Sequence, residues 1–167
     1  MPTSPASRRR HRAPAFLAGA AAATLAGVAY PAAVRAVLRR NVAALMAGDP
    51  GPLLTMYAPD AVLHFPGEHS WGPVYDGREA IAGFLRRFLG AGLRGEVADV
   101  YVAGPPWATR IALRFDDHAH DATTGERIYE NRAVIVLRTR FGRVVREEVF
   151  EDTQKVAAFD ERVAVAT

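Results

Sequence analysis

The chain of 167 residues contains no cysteine, which excludes disulfides, thiol nucleophiles and thiolate metal sites. Lysine is almost missing too: of 21 basic residues only Lys155 is a lysine. No acidic residue precedes Asp49, whereas seven arginines do. The rest of the chain therefore contains 14 basic and 18 acidic residues. The formal net charge of +3 therefore belongs to the front of the chain. No basic face is indicated across the rest, and the sequence predicts no nucleic-acid partner.

Residues 1–30 form a compositional block of their own. An arginine cluster, Arg8 to Arg12, precedes the apolar, alanine-rich stretch Ala13–Tyr30. This order resembles the charged and apolar regions of a secretory signal, although Pro14 and the weak insertion energy of alanine argue against a permanent membrane span. Two interpretations stay open. The segment is an export signal or membrane contact, or it is a tail on a cytoplasmic protein.

The remaining residues, 31–167, are predicted to form one folded domain. Apolar residues at helical spacing predict a helix over Ala32–Gly48. The pattern further predicts a short helix Leu53–Tyr57, a brief strand Ala61–Phe65, a loop Glu68–Gly77, a helix Arg78–Leu89, four strands Val97–Val102, Ala108–Asp116, Arg127–Arg140 and Arg143–Asp152, and a closing helix Gln154–Val163. Short turn signals make the last three strands antiparallel. Helices followed by strands indicate an α+β fold with a curved sheet wrapped on its helices.

Several motifs in this order resemble the SnoaL-like (polyketide cyclase-like) family of the nuclear transport factor 2-like, or ketosteroid isomerase-like, superfamily. They are Val42–Asp49, Tyr57–Val62, His64–Gly67, Tyr75–Ile81, Thr124-Gly125, Tyr129-x-Asn131-Arg132 and Phe150-x-Asp152-Thr153. The resemblance spans residues 32–163. It implies a cone, open at one end, in which a curved antiparallel sheet encloses an apolar pocket. It also implies a homodimer formed through the sheet.

The resemblance does not fix the activity, because similar cones serve isomerases, epoxide hydrolases, cyclases and non-catalytic modules. At the three positions where the steroid isomerases carry catalytic groups, this chain has Asn41, Phe65 and Ile135. The epoxide-hydrolase pattern is kept only in part: Arg132 matches, but Val134 replaces the acid two residues later. Asp152 is the acid that matches both the hydrolase and the cyclase branches.

Asp152 is therefore the predicted general acid/base, with His64 as an assisting group near the mouth of the cone. An apolar wall beside Phe150 would favour a proton on Asp152 near neutral pH. The alternative is structural: Asp152 or Thr153 caps the helix that follows. For His64 the alternative is a rim histidine with a backbone hydrogen bond.

The predicted ligand-binding residues are aromatic or amide side chains on the first strand region, the loop and the last two strands. They are Tyr57, Trp71, Tyr75, Tyr129, Asn131 and Phe150. Strand alternation places Tyr129, Asn131 and Ala133 on one face and Arg132 on the other. The polar run Asp116–Asp121 is interpreted as an exposed hairpin tip, so that neither a metal nor a cofactor is predicted.

Two hypotheses follow from the sequence. In the first, the domain is an enzyme without a cofactor that acts on a hydrophobic small molecule by acid/base chemistry, as a cyclase, isomerase, dehydratase or epoxide hydrolase. In the second, it is a dimeric module that binds an apolar ligand or a partner without chemistry. The most informative single observation is the orientation of the Asp152 carboxylate, into the cavity or onto the helix.

Overall fold

The computed structural model describes residues 15–67, 69, 71–72 and 74–165. Its helices are α1 (Ala15–Met46), α2 (Gly51–Leu54), α3 (Arg78–Gly90) and α4 (Thr153–Val165). Its strands are β1 (Tyr57–His64), β2 (Val74–Asp76), β3 (Arg94–Ala103), β4 (Arg110–His120), β5 (Arg127–Arg140) and β6 (Arg143–Phe150).

The strands form one six-stranded sheet in the order β2-β1-β6-β5-β4-β3. β3 to β6 are joined as an antiparallel meander, which the turn signals predicted for the last three of these strands. β1 pairs parallel with β6, so the sheet is mixed rather than purely antiparallel. Apolar residues of α1 and α3, among them Leu38, Leu45 and Ile81, join the core on the inner face of this sheet. The predicted α+β cone is thereby confirmed.

Helix α1 begins earlier than the sequence predicted and continues through Pro31. At this point the Tyr30 hydroxyl hydrogen-bonds to the Thr109 hydroxyl, so Tyr30 already contacts the domain. The division at residue 30 stays a prediction. Residues 1–14, including the arginine cluster, lie outside the described residues, and none of the described helices is long and apolar enough to cross a membrane.

The end of α1 is fixed by a turn of a kind that only glycine adopts readily. Gly48 has φ of 96°, and the next amide, of Asp49, donates to the carbonyl of Ala44 (2.9 Å). The Asp49 carboxylate accepts from the amide of Gly51 (2.9 Å) and starts α2. From this turn the chain passes through α2 into β1 of the sheet.

Several predicted boundaries are wrong, and the last strand ends at Phe150 rather than at Asp152. The second helix ends at Leu54, and Tyr57 begins β1 instead of lying in that helix. The loop Glu68–Gly77 contains the short strand β2, while its positions 68, 70 and 73 lie outside the described residues. Strand β4 continues to His120, beyond the predicted end at Asp116. Backbone pairing with a neighbouring strand extends β1 and β4 beyond the ends that local propensity would give them.

Candidate functional site

A cavity of about 120 Å³ lies between α1, α3 and the inner face of the sheet. An apolar cavity of about 150 Å³ holds a benzene molecule, so this cavity suits a ligand built around one ring. Among the described residues that line it, all but four have apolar side chains. These are Tyr57, Asp117, Glu147 and Glu151.

Alternation along β6 brings two of the acids into the cavity. Glu147 and Val149 are 7% exposed and line it, as does Glu151 beyond the end of the strand. Phe150 is 52% exposed and lies on the outer face. The predicted inward position of Phe150 and Asp152 is therefore wrong by one residue.

Glu147 and Tyr57 form a buried pair at the cavity wall. The Tyr57 hydroxyl donates a hydrogen bond to Glu147 Oε2. Burial raises the pKa of Glu147 to about 7, and the hydrogen bond from Tyr57 opposes part of this rise. Burial and the nearby Glu147 raise the pKa of Tyr57 well above its usual value, so its hydroxyl stays protonated. A carboxyl group with these properties can accept or release a proton near neutral pH.

A second polar group lies where β4, β5 and the end of β6 meet. Asn131 Nδ2 lies 3.1 Å from the Tyr129 hydroxyl and 3.0 Å from Glu151 Oε2. Burial raises the pKa of Glu151 to about 8, with Asp117 adding to the rise. Burial likewise raises the pKa of Asp117 to about 6, while the Tyr129 hydroxyl bonded to it lowers it. Two carboxyl groups thus share one tyrosine beside the cavity.

Asp152 is a helix cap in this structure. Its side chain is exposed, and Oδ1 accepts from the backbone amides of Gln154 (3.1 Å) and Lys155 (3.4 Å). The structural alternative from the sequence is therefore the one observed. The acid/base role of Asp152 stays a prediction that its position outside the cavity does not support.

Removing this cap is expected to affect stability and not chemistry. Asp152→Ala leaves the first amides of α4 without an acceptor and should lower the free energy of unfolding by about 1 kcal/mol. Asp152→Asn, which caps equally well, should unfold like the unchanged protein in urea. A lower proton-transfer rate in Asp152→Asn at unchanged stability would instead restore Asp152 as the catalytic acid.

His64, Trp71 and Tyr75 lie away from the cavity wall. His64 alternates with the buried Leu63 and Phe65 and pairs with Glu148, which places it on the outer face. Trp71 and Tyr75 pack behind the cavity, with ring centroids 6.1 Å and 4.9 Å from that of Phe84. These contacts anchor the loop and support the wall, and the ligand-binding roles predicted for the two aromatic residues stay untested.

Strand β5 has the predicted alternation. Tyr129, Asn131 and Ala133 are buried, whereas Arg132 is exposed and bonds Asp116 (3.1 Å). Tyr129 also stacks at 4.7 Å on Phe159. Tyr129 and Asn131 therefore orient the carboxyl groups beside them and do not themselves form the cavity wall.

The positions of the missing isomerase groups have other uses in this chain. Phe65 and Ile135 contribute apolar surface to the cavity. Asn41 is 3% exposed and donates from Nδ2 to the carbonyl of Pro52 (3.0 Å), which ties α1 to α2. The acids of this cavity thus stand at positions other than those at which the isomerases carry theirs.

Sequence reasoning missed Asp117, Glu147 and Glu151, although signals existed. Arg146 and Glu148 flank Glu147 and form an ion pair of 3.1 Å, an arrangement typical of an outward face. On β4, the alternation of Leu113 and Phe115 continues to Asp117 once the strand is taken beyond residue 116.

The turn after β4 is held by the side chain of Asp121. Asp121 Oδ1 accepts from the amides of Thr123 and Thr124 at 2.8 Å each. The rings of His118 and His120 lie 5.2 Å apart. The described residues contain no group of three or more histidine or acidic side chains placed to hold a metal ion.

Comparison with known proteins places this geometry among related folds. Residues 38–147 match the SnoaL-like domain family. An NTF2-like protein of unknown function from Burkholderia pseudomallei has 21% identity and a TM-score of 0.63, covering 75% of this chain and 95% of its own. TerC, co-crystallised with polyporic acid, has 20% identity and a TM-score of 0.62, covering 77% of this chain and 97% of its own. A candidate polyketide cyclase from Xanthomonas campestris has 20% identity and a TM-score of 0.55, covering 74% of this chain and 93% of its own. No curated protein matches.

Proposed function

Because this chain belongs to the family of SnoaL-like domains, we propose that its cavity binds a small hydrophobic molecule and moves a proton on it without a cofactor. Glu147 is the general acid/base, and Tyr57 is the hydrogen-bond donor that orients it. The solved structure of TerC with polyporic acid supports small-molecule binding by such a fold. Substrates of the cyclase or isomerase kind fit an apolar cavity with one proton-transferring group.

The burial of the Glu147 carboxyl in an apolar wall carries this proposal. Tyr57 occupies Oε2, and the described residues provide no hydrogen bond to Oε1. Oε1 is therefore the oxygen that meets a ligand proton. When Glu147 is ionised, the apolar surroundings leave its charge weakly solvated, which strengthens it as a base.

The ring opening of 1,2-benzisoxazole is a suitable test, since it needs a base and no other catalytic group. The base removes the proton from C3, the electron pair completes the C≡N bond, and the N–O bond breaks to give 2-cyanophenolate. The substrate is a small, flat aromatic molecule with little polar surface, so it is a compact probe of an apolar cavity. If the purified protein binds the substrate without accelerating this reaction, the ligand-binding module is the better function.

A homodimer through the outer face of the sheet is part of the proposal. Phe150 and its cross-strand neighbour Val134 are 52% and 47% exposed and form an apolar patch there. Phe150→Glu should weaken association at least about tenfold because it introduces a charge into the interface. Sedimentation at several concentrations measures this, with Phe141→Glu, in the β5–β6 turn, as the control. A monomeric unchanged protein would rule the dimer out.

A further inference from the structure

We propose that the ligand carries a protonated amine, and that Asp117 and Glu151 bind this ammonium group at one end of the cavity. The inference rests on the proposed function, because it names the chemical class of the ligand for the same cavity. It assigns a binding role to two acids that the proton-transfer step at Glu147 does not use. Val149 lies between Glu147 and Glu151 along the chain, so the two functions occupy separate parts of the wall.

Asp117 provides the observation that points to a ligand. Its side chain lines the cavity, and the residue is 6% exposed. Although the Tyr129 hydroxyl bonds the Asp117 carboxyl group, Oδ1 is buried and has no hydrogen-bond partner among the described residues. A buried carboxylate oxygen without a partner is costly, and a donor on a bound molecule would remove that cost.

The sign of the charge selects the ligand class. The described residues that line the cavity include three carboxyl groups and no arginine, lysine or histidine. A ligand carboxylate would enter beside like charges in an apolar site, whereas an ammonium group would form charge-assisted hydrogen bonds. Lys155, the only lysine in the sequence, instead donates to the carbonyl of Glu130 (3.1 Å).

The charge of the acid pair matches a single cation near neutral pH. With the pKa of Asp117 at about 6 and that of Glu151 at about 8, the pair has about one negative charge at pH 7. The charges of Asp116 and Lys155 also act on Asp117, and the charge of Asp152 acts on Glu151. One bound ammonium group would neutralise the pair and leave no net charge buried.

The test compares three one-ring probes of similar shape at pH 7 by isothermal titration calorimetry. Benzylamine is cationic, benzyl alcohol neutral and benzoate anionic. Benzylamine should bind about tenfold more tightly than benzyl alcohol, and benzoate more weakly than both. Asp117→Asn should remove the preference for the amine while benzyl alcohol still binds. Asp116→Asn is the matched control, since Asp116 faces outward and pairs with Arg132.

The outcomes separate this inference from the function on which it rests. If benzyl alcohol binds as tightly as benzylamine, the amine site is wrong and the apolar cavity stands. If none of the three probes binds, the cavity proposal fails and the amine site fails with it. Glu151→Gln serves as the second variant if Asp117→Asn does not fold, and an amine preference kept in the variant places the amine elsewhere and overturns the inference.

Discussion

Glu147→Gln is expected to lower kcat/KM for the ring opening of 1,2-benzisoxazole about 100-fold or more. Glutamine keeps the size of the side chain and can still accept the hydrogen bond from Tyr57, but its amide is too weak a base to take the proton. Binding of the substrate should change little, because the apolar wall is the same. The loss should therefore fall on kcat rather than on KM.

The neighbouring acid supplies the control. Glu148 lies on the opposite face of β6, where it pairs with Arg146 at 3.1 Å, and Glu148→Gln should leave the reaction unchanged. The rate should rise as the pH passes about 7, since the pKa of Glu147 is about 7 and its ionised form is the base. Equal rates in Glu147→Gln and Glu148→Gln would remove Glu147 from the mechanism.

The stability of the fold is expected to fall as the pH rises from about 4.5 to about 8. Burial raises the pKa values of Asp117, Glu147 and Glu151 to about 6, 7 and 8. Across this window the folded state binds more protons than the unfolded state, so removing protons favours unfolding. The contribution of these groups is complete below their unfolded pKa values and is lost as the pH rises through the folded values.

Glu147→Gln should largely remove the part of this pH dependence of stability that Glu147 causes. The rise of its pKa from 4.5 to about 7 corresponds to about 3 kcal/mol at pH 8, which an uncharged glutamine does not lose. The variant should therefore be more stable than the unchanged protein at pH 8 and similar to it at pH 4.5. Urea unfolding at both pH values measures this, with Glu148→Gln as the control. A variant less stable at pH 8 would mean that Glu147 is ionised at little cost.

Much of the fold could be predicted from the sequence because its long elements have strong periodicity. The alternation of β5 placed Tyr129 and Asn131 on the inner face and Arg132 on the outer face, and the structure confirms this. Helix α3 and the antiparallel meander follow equally clear patterns. These features depend on local spacing, which a single sequence contains.

The site was harder to predict because it depends on single-residue parity and on long-range pairing. Phe150 is a large apolar residue, and placing it inside turned the whole of β6 over, which hid Glu147. Tyr57 was assigned to a helix because its pairing with Val144, far along the chain, is invisible to local propensity. The polar residues that follow Asp117 predict a turn at this point. Each error came from a tertiary contact that overrides local preference.

The parallel pairing of β1 with β6 has a consequence for the order of folding. The contact between Tyr57 and Glu147 spans 90 residues, whereas the β5–β6 hairpin closes with a two-residue turn. Closing the longer loop costs more chain entropy, so hairpins form more readily than the junction between the two ends of the domain. On a growing polypeptide, β1 has no β6 to pair with until most of the domain has been synthesised. The proposed reaction centre therefore depends on a contact that cannot form before β6 has been synthesised.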